Sequence, residues 1–304
     1  MDILESEIKC YDYFVEKGIK TREDLRKSFK TDPISGINQS FAENMFSLFK
    51  QREKVANKNR KHGKISQTFC ISDMHIPNQD DKTCDLVFDC IIDNQPENLV
   101  LLGDIIDCYW SSRFLKNPKI DIYLQEEADT FFKKFSQLRR HLPKTNIYYV
   151  LGNHEDRVLK SQIENPQYIG LRALNPSELL RLDKLNIELH KNKLIMNNFI
   201  YYHGDKVRSS ASYSAKAEFE GFQMNSGISG HTHRLGSYYH SCDKNVEYWF
   251  ENGCLCTLDP DYLKPPKINW QQGFSVVNWY QGINQVDQIL VQDHKFKYQN
   301  KLYS

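Results

Sequence analysis

Five short segments of the chain carry carboxylate, amide and imidazole groups in a pattern suited to divalent-cation chemistry. They are Asp73-Met74-His75, Gly103-Asp104-Ile105-Ile106-Asp107, Gly152-Asn153-His154-Glu155, His203-Gly204-Asp205 and Gly230-His231-Thr232-His233. D-x-H or H-x-H alone recurs by chance. Five segments in this order, each closing an apolar run, hold the hard oxygen and imidazole ligands that two cations sharing one carboxylate need. Cations held ~3.5–4 Å apart can together polarise a phosphoryl oxygen and lower the pKa of a shared water. Mixed imidazole and oxygen ligation suits manganese, iron, zinc or nickel better than calcium.

Such groups must be delivered by rigid elements, and the apolar runs read as strands. Residues 69–72 lead into Asp73, 98–102 into Gly103-Asp104, and 147–151 into Gly152-Asn153. Between them lie helices. One shows Leu124, Ala128, Phe131, Phe135, Leu138 and Leu142 at alternating steps of four and three, the stripe of a core-facing helix. Beyond Leu185 strands dominate, at 194–196, 199–202, 238–239, 246–250, 274–280 and 286–291, with residues 281–285 as a hairpin turn. The fold class is therefore α/β, a two-sheet β-sandwich flanked by helices, with ligands in the crevice outside the carboxyl ends of its strands.

Residues 1–62 read differently, as a small helical segment ahead of a catalytic domain spanning residues 63–304. A helix from Glu5 to Lys17 ends at Gly18, Thr21 to Asp24 opens a second as a capping box, and Phe41, Met45, Leu48 and Phe49 mark a third. Three short helices suggest a helix-turn-helix, but residues 30–36 are long for its turn, so an oligomerisation or packing appendage is preferred. The apolar faces of Ile8, Phe14, Leu25, Phe29, Phe41, Met45 and Leu48 then need burial, on the catalytic domain or in a homo-oligomer. Lys50, Arg52, Lys54, Lys58, Arg60, Lys61 and Lys64 crowd a stretch opposed only by Glu53, a solvated helix end or a phosphate-tracking patch.

Composition narrows the class further. The chain has 304 residues, 40% hydrophobic and 26% charged, with a net charge of +1, so no global field argues for nucleic acid or membrane. No apolar run approaches the ~20 residues that span a bilayer, and the acidic start lacks the order of a signal peptide, so a cytoplasmic protein without a membrane partner is expected. The eight cysteines are scattered without C-x-x-C and are expected to be reduced structural thiols. Cys254 and Cys256 are expected on opposite faces of a strand. His190 and His240 belong to no motif, and His62 and His141 lie in charged segments.

With these residues in view, the chain resembles the calcineurin-like metallophosphoesterase superfamily, whose pattern is D-x-H, G-D-x-x-D, G-N-H-E/D, a lone His, then G-H-x-H. The resemblance runs from about Lys64 to the C-terminus. Ser214-Ala215-Lys216, Gly230 to Arg234 and Trp270-Gln271-Gln272-Gly273-Phe274 look most like uncharacterised bacteriophage or prophage members. The resemblance implies a first metal on Asp73, His75, Asp104 and His233 and a second on Asp104, Asn153, His203 and His231, with Asp104 bridging. Manganese is the first expectation for both ions. It also implies hydrolysis of phosphate esters by metal-activated hydroxide without a covalent intermediate. His154 would be the general acid or an electrostatic clamp, and Asp107 would orient it. Arg157, Arg234, Arg113 and Arg208 each stand near a motif and could bind phosphate oxygens. Tyr109 and Trp110 are loop-packing residues or a base-stacking platform.

Retention of His75 favours phosphodiesters, and the basic stretch favours nucleotide or nucleic acid. A serine/threonine-type protein phosphatase is the alternative within the enzyme class. Outside it stands a DNA-binding or scaffold protein with an idle metal site, which the complete ligand set argues against.

Overall fold

Two periodicities divide the chain. The computed structural model describes residues 3–61, 65–112, 123–242, 245–258 and 269–304. Up to Lys61 apolar residues recur at helical spacing in α1 (Ile3–Glu16), α2 (Arg22–Thr31) and α3 (Gln39–Lys61). Gly18, at φ 60°, ends the first helix, and Thr21 caps the second reciprocally with Asp24, both as expected. The three helices close on one another around Cys10, Phe14, Leu25, Phe29 and Phe46. Residues 32–38 are no tight turn, because Ile34 and Ile37 plug the same small core. Leu48 departs from its expected role, being 44% exposed.

From β1 (Ser66–Ile71) the chain alternates through α4 (Asp81–Asn94), β2 (Asn98–Leu101), α5 (Leu124–His141), β3 (Asn146–Val150), α6 (Asn153–Glu164), α7 (Pro176–Leu179) and β4 (Ile187–His190). Next come β5 (Lys193–Met196), β6 (Phe199–Tyr202), α8 (Tyr213–Gly221), β7 (Gly227–Ser229), β8 (Leu235–Cys242) and β9 (Asn245–Asn252). The last strands are β10 (Gly273–Tyr280), β11 (Ile283–Leu290), β12 (Phe296–Tyr298) and β13 (Lys301–Tyr303). Gln281 and Gly282, at φ 50° and 86°, form the two-residue turn of the expected β10–β11 hairpin.

One sheet runs β11-β10-β1-β2-β3-β4 and a second β5-β6-β7-β9-β8, with β12-β13 as a separate ribbon. The pleat decides what each covers, since successive side chains face opposite ways. Phe69, Ile71, Leu99, Leu101, Ile147 and Tyr149 turn toward the helices, into a core that also holds Ala128, Phe131 and Phe135 of α5. Cys70, Val100, Leu102 and Val150 turn the other way, against Phe199, Tyr201, Ile228 and Phe250 of the second sheet. The result is an α/β two-sheet sandwich flanked by helices. Among the described residues, no helix is long and apolar enough to cross a membrane.

Candidate metal centre

The five motif segments all follow the carboxyl ends of parallel strands. Asp73 and His75 follow β1, Asp104 and Asp107 follow β2, Asn153 follows β3, His203 follows β6, and His231 and His233 follow β7. The first two loops keep pairing beyond their strands. Asp73 N donates to the Gly103 carbonyl at 3.1 Å and His75 N to that of Asp104 at 3.0 Å, which sets the two motifs in register.

Left-handed backbone recurs at the same places, as it does in turns elsewhere in the chain. Asp73, His75, Asp104, His231 and His233 have φ of 53°, 50°, 51°, 70° and 57°, the left-handed region. Each such residue costs ~1–3 kcal/mol and persists only where its surroundings over-determine it, commonly at functional sites. Glycine makes the room. A Cβ on Gly152 would lie 2.1 Å from Asp104 Oδ1, and one on Gly230 would lie 2.6 Å from Asp73 Oδ2. The glycines before Asn153 and His231 are thus packing requirements of the carboxylates beside them.

Two donor groups converge on this edge. Asp73, His75 and His233 form one, with His233 Nε2 3.3 Å from Asp73 Oδ1 and 3.0 Å from His75 Nε2. Asp104, His203 and His231 form the other, and Asn153 Oδ1 joins it 3.0 Å from His203 Nε2. Asp104 spends Oδ1 on the amide of His154, at 2.8 Å. Its Oδ2 lies 3.2 Å from His203 Nε2 and 4.0 Å from His75 Nε2, so one oxygen faces both groups. This donor set fits hard and borderline divalent cations.

Charge explains how such a cluster stays folded. Burial raises the Asp104 carboxyl, but the imidazoles of His203, His154 and His75 outweigh it and hold it well below the usual carboxylate range. Asp73 is lowered in the same way against its own burial, chiefly by His233. Burial lowers His203 and His233, yet Asp104 and Asp73 push these rings up to about 9 and about 10. His231, half-buried and beside His203, is lowered by desolvation and by that ring to about 4. Ionised carboxylates therefore gather positive charge around them, a role that a metal ion can take over.

Asp107 reaches further than expected. Its Oδ1 lies 2.9 Å from His154 Nδ1, the predicted contact, and 3.0 Å from Nδ1 of His75. One carboxylate thus orients both a candidate ligand and the candidate acid. Arg157 lies against the same His154, its terminal nitrogens 2.9 Å from Nδ1 and 2.7 Å from Nε2. A neutral ring has one acceptor, so only one of these contacts is a hydrogen bond. Arg234 does not face the centre, correcting the expectation that it binds phosphate. It is buried, and its guanidinium donates to Ser214 Oγ at 2.9 Å and to the Arg208 carbonyl at 3.0 Å. Arg208 itself is exposed, and Arg113 lies outside the described residues. Half-exposed Trp110 stacks on Tyr123 at 6.0 Å.

Four buried glutamates clamp the motif loops; Glu155 stands in a motif read from the sequence, and the other three were missed. Glu155 accepts from the amides of Asp104, Ile105, Ile106 and Gly152 and from the Tyr149 hydroxyl, at 2.6–3.1 Å. Glu127 accepts from the amides of Cys108 and Tyr109, and Glu218 from those of Asp205 and Lys206. Glu251 joins the amides of Ser212 and Ala215 to the Thr232 hydroxyl. The available signal was an acidic residue on an apolar helical stripe, as with Glu127 between Leu124 and Ala128. Asp205 pairs with Lys206 at 2.9 Å.

The cysteine reading also needs correction. Cys254 and Cys256 turn the same way, because residues i and i+2 of an extended segment share a face. Both thiols meet His233, with Cys256 Sγ 3.8 Å from its Nδ1. All seven cysteines among the described side chains are free, as expected.

The family model for calcineurin-like phosphoesterase matches residues 67–252. The chain belongs to that family, which makes it a metal-dependent phosphoester hydrolase by kinship. It is similar to the Gene 54 protein of Mycobacterium phage L5, 27% identical over 224 residues, covering 68% of this chain and 86% of that protein. The Gene 54 protein of Mycobacterium phage D29 is likewise 27% identical over 226 residues, with the same coverage. Among solved structures, wild-type Vps29 from Entamoeba histolytica aligns with a TM-score of 0.42 at 11% identity, over 78% of this chain and 99% of that one.

Proposed function

We propose that the chain is a dinuclear metal-dependent phosphodiesterase with nucleotidic substrates. The observation that carries this reading is Asp104, one of whose oxygens faces both His203 and His75 while the other is held by the His154 amide. Asp73, His75, Asp104 and His233 would hold one divalent cation, manganese first among the candidates, and Asp104, Asn153, His203 and His231 the other. Two cations there supply charge to a phosphoryl oxygen and acidity to a water. The rest falls to the chain. Asp107 accepts from Nδ1 of His154, so a proton passed to the departing oxygen would be carried on Nε2, which lies 3.7 Å from Asp104 Oδ2 and would give up its Arg157 contact when protonated. Asp107 also fixes His75, whose retention completes the first ligand set and suits a diester, with its lower charge. Arg157 brings positive charge to the mouth where a phosphate would enter.

Metal analysis with a paired substrate assay tests the reading. The manganese-loaded chain is expected to hold two ions and to turn over bis-p-nitrophenyl phosphate at least as well as p-nitrophenyl phosphate. Asp104→Asn should weaken both sites together, since the shared oxygen loses its charge. One ion in the active protein would refute the dinuclear reading, and turnover of monoesters alone would refute the diester preference.

A further inference from the structure

Strand β9 runs parallel to β7, and its carboxyl end opens on the same edge as the ligand-bearing strands. What it delivers there is sulfur. After Gly253, at φ 79°, the segment Cys254-Leu255-Cys256 is pinned on several sides. Cys254 N donates to the Gln271 carbonyl, Leu255 N to the Asp73 carbonyl, and Gln272 Nε2 to the Cys256 carbonyl, at 3.1, 3.2 and 2.9 Å. The two thiols are held on one face, and both cysteines are buried.

Their common neighbour is His233. One ligand atom from each of His233, Cys254 and Cys256 lies within 4.8 Å of the other two. His233 meets Asp73 and His75 through Nε2, so Nδ1 is turned away from them and toward Cys256. The rings of His75 and His203 present Nδ1 to oxygen instead, the Asp107 carboxylate and the Leu102 carbonyl. Zinc bonds of about 2.3 Å to sulfur and about 2.0–2.1 Å to nitrogen put those atoms about 3.6 Å apart in a tetrahedron. The observed Cys256 Sγ to His233 Nδ1 distance is 3.8 Å, so the pair needs almost no movement to share an ion.

We propose that Cys254, Cys256 and Nδ1 of His233 form a thiophilic cation site of the zinc and cadmium class, joined to the oxygen-rich centre through one imidazole ring. Two thiolates select such ions over manganese. Each thiol releases its proton as its sulfur–metal bond forms, Nδ1 gives up any proton it carries, and no redox change occurs. Because the ring is shared, an ion at Nδ1 replaces the proton there and turns His233 into an imidazolate that bridges to the neighbouring centre.

The test uses the full chain preloaded with manganese and titrated with cadmium. A thiolate-to-cadmium charge-transfer band should grow to one equivalent, and X-ray absorption should find two sulfur neighbours per cadmium. Cys254→Ser and Cys256→Ser should each lose the band, whereas Cys84→Ser should keep it. Absence of the band in the wild-type chain, or fewer than one sulfur per cadmium, overturns the proposal. So does a band that survives in the Cys254→Ser/Cys256→Ser double variant. If the serine variants do not fold, the sulfur count in the wild-type chain still decides. Manganese content, measured separately, tests the dinuclear reading on its own, and the sulfur site stands or falls independently of that count.

Discussion

The motif edge and the N-terminal helices solve opposite problems. Helices α1 to α3 obey local rules throughout: a glycine ends the first, a capping box opens the second, and apolar faces at helical spacing close on one another. At the motif edge local rules are broken repeatedly. Residues with side chains adopt left-handed backbone, carboxylates and imidazoles are buried together, and four glutamates are buried with loop amides aimed at them. Such an arrangement survives only because each violation is compensated by a neighbour, so single changes there should be severe and specific. Changes among the helices should be mild.

The largest effect is expected at His154. His154→Ala should lower turnover by ~10²–10⁴, the range for general acid–base groups, while metal content stays nearly intact. A metal-free variant would make His154 a ligand. Asp107→Asn should cost less in turnover but also weaken metal binding, because the same carboxylate holds Nδ1 of His75. Kinetics and metal analysis on both variants separate the two roles.

Next comes Glu155, the motif carboxylate that accepts from the amides of the Asp104 loop. Glu155→Gln replaces one acceptor oxygen with a donor, so buried amides of the Asp104 loop lose their partner. A loss of ~1–3 kcal/mol in stability follows from leaving such a group unsatisfied, with weaker metal binding because Asp104 is displaced. Denaturant unfolding and metal titration check it. Unchanged values in both would show that the loop is held from elsewhere.

The contrast also explains what could be read in advance. The five motif segments were legible because metal chemistry restricts residue type and spacing, and the layers because strands buried on both faces stay apolar. Strand β7 was not, for Gly227-Ile228-Ser229 is too short to show a period. Glu127, Glu218 and Glu251 were not, since the amides they accept from are distant in sequence. Arg234 misled because adjacency to His233 says nothing about direction: with His233 in left-handed backbone, the next side chain turns to Ser214 and the Arg208 carbonyl instead. Long-range pairing of polar groups is set by the fold, and local patterns do not carry it.

A smaller, graded effect concerns pH. His203 and His233 are raised from an ordinary value near 6.5 to about 9 and about 10. In EDTA-treated protein their protonated forms contribute stability that is full below about 6.5 and lost as pH rises through 9 to 10. His231, depressed to about 4, acts oppositely and loses its contribution only as pH falls through that value. Thermal melts of stripped protein should therefore fall from pH 7 to 10. Manganese affinity should rise over the same range, because protons on His203 and His233 must leave, and each binding event should acidify a weak buffer. Greater stability of the stripped chain at pH 10 than at pH 7 would contradict the assignment.

The mildest outcome is expected from removing residues 1–60, which we propose to be a separable unit. Every candidate ligand, and every strand that delivers one, follows residue 65. Of the apolar side chains expected to need a partner surface, Phe14, Leu25 and Phe29 are buried against each other and Phe41 and Met45 pack on them, while Leu48 is exposed and the side chain of Ile8 lies outside those described, so the deletion removes this small core whole. What it severs includes packing of α1 on α5 and of α3 on α4, and an ion pair 3.7 Å long between Asp12 and Arg140. A surface pair of that kind is worth about 0–1 kcal/mol, so the truncated chain should melt within a few degrees of the intact one. Two manganese ions should remain bound, and model-substrate turnover should hold. Salt-sensitive duplex affinity that vanished with the deletion would instead give the helices a nucleic-acid role. A folded truncation that could no longer bind metal would show that the two regions are one cooperative unit and that the contrast between them is only local.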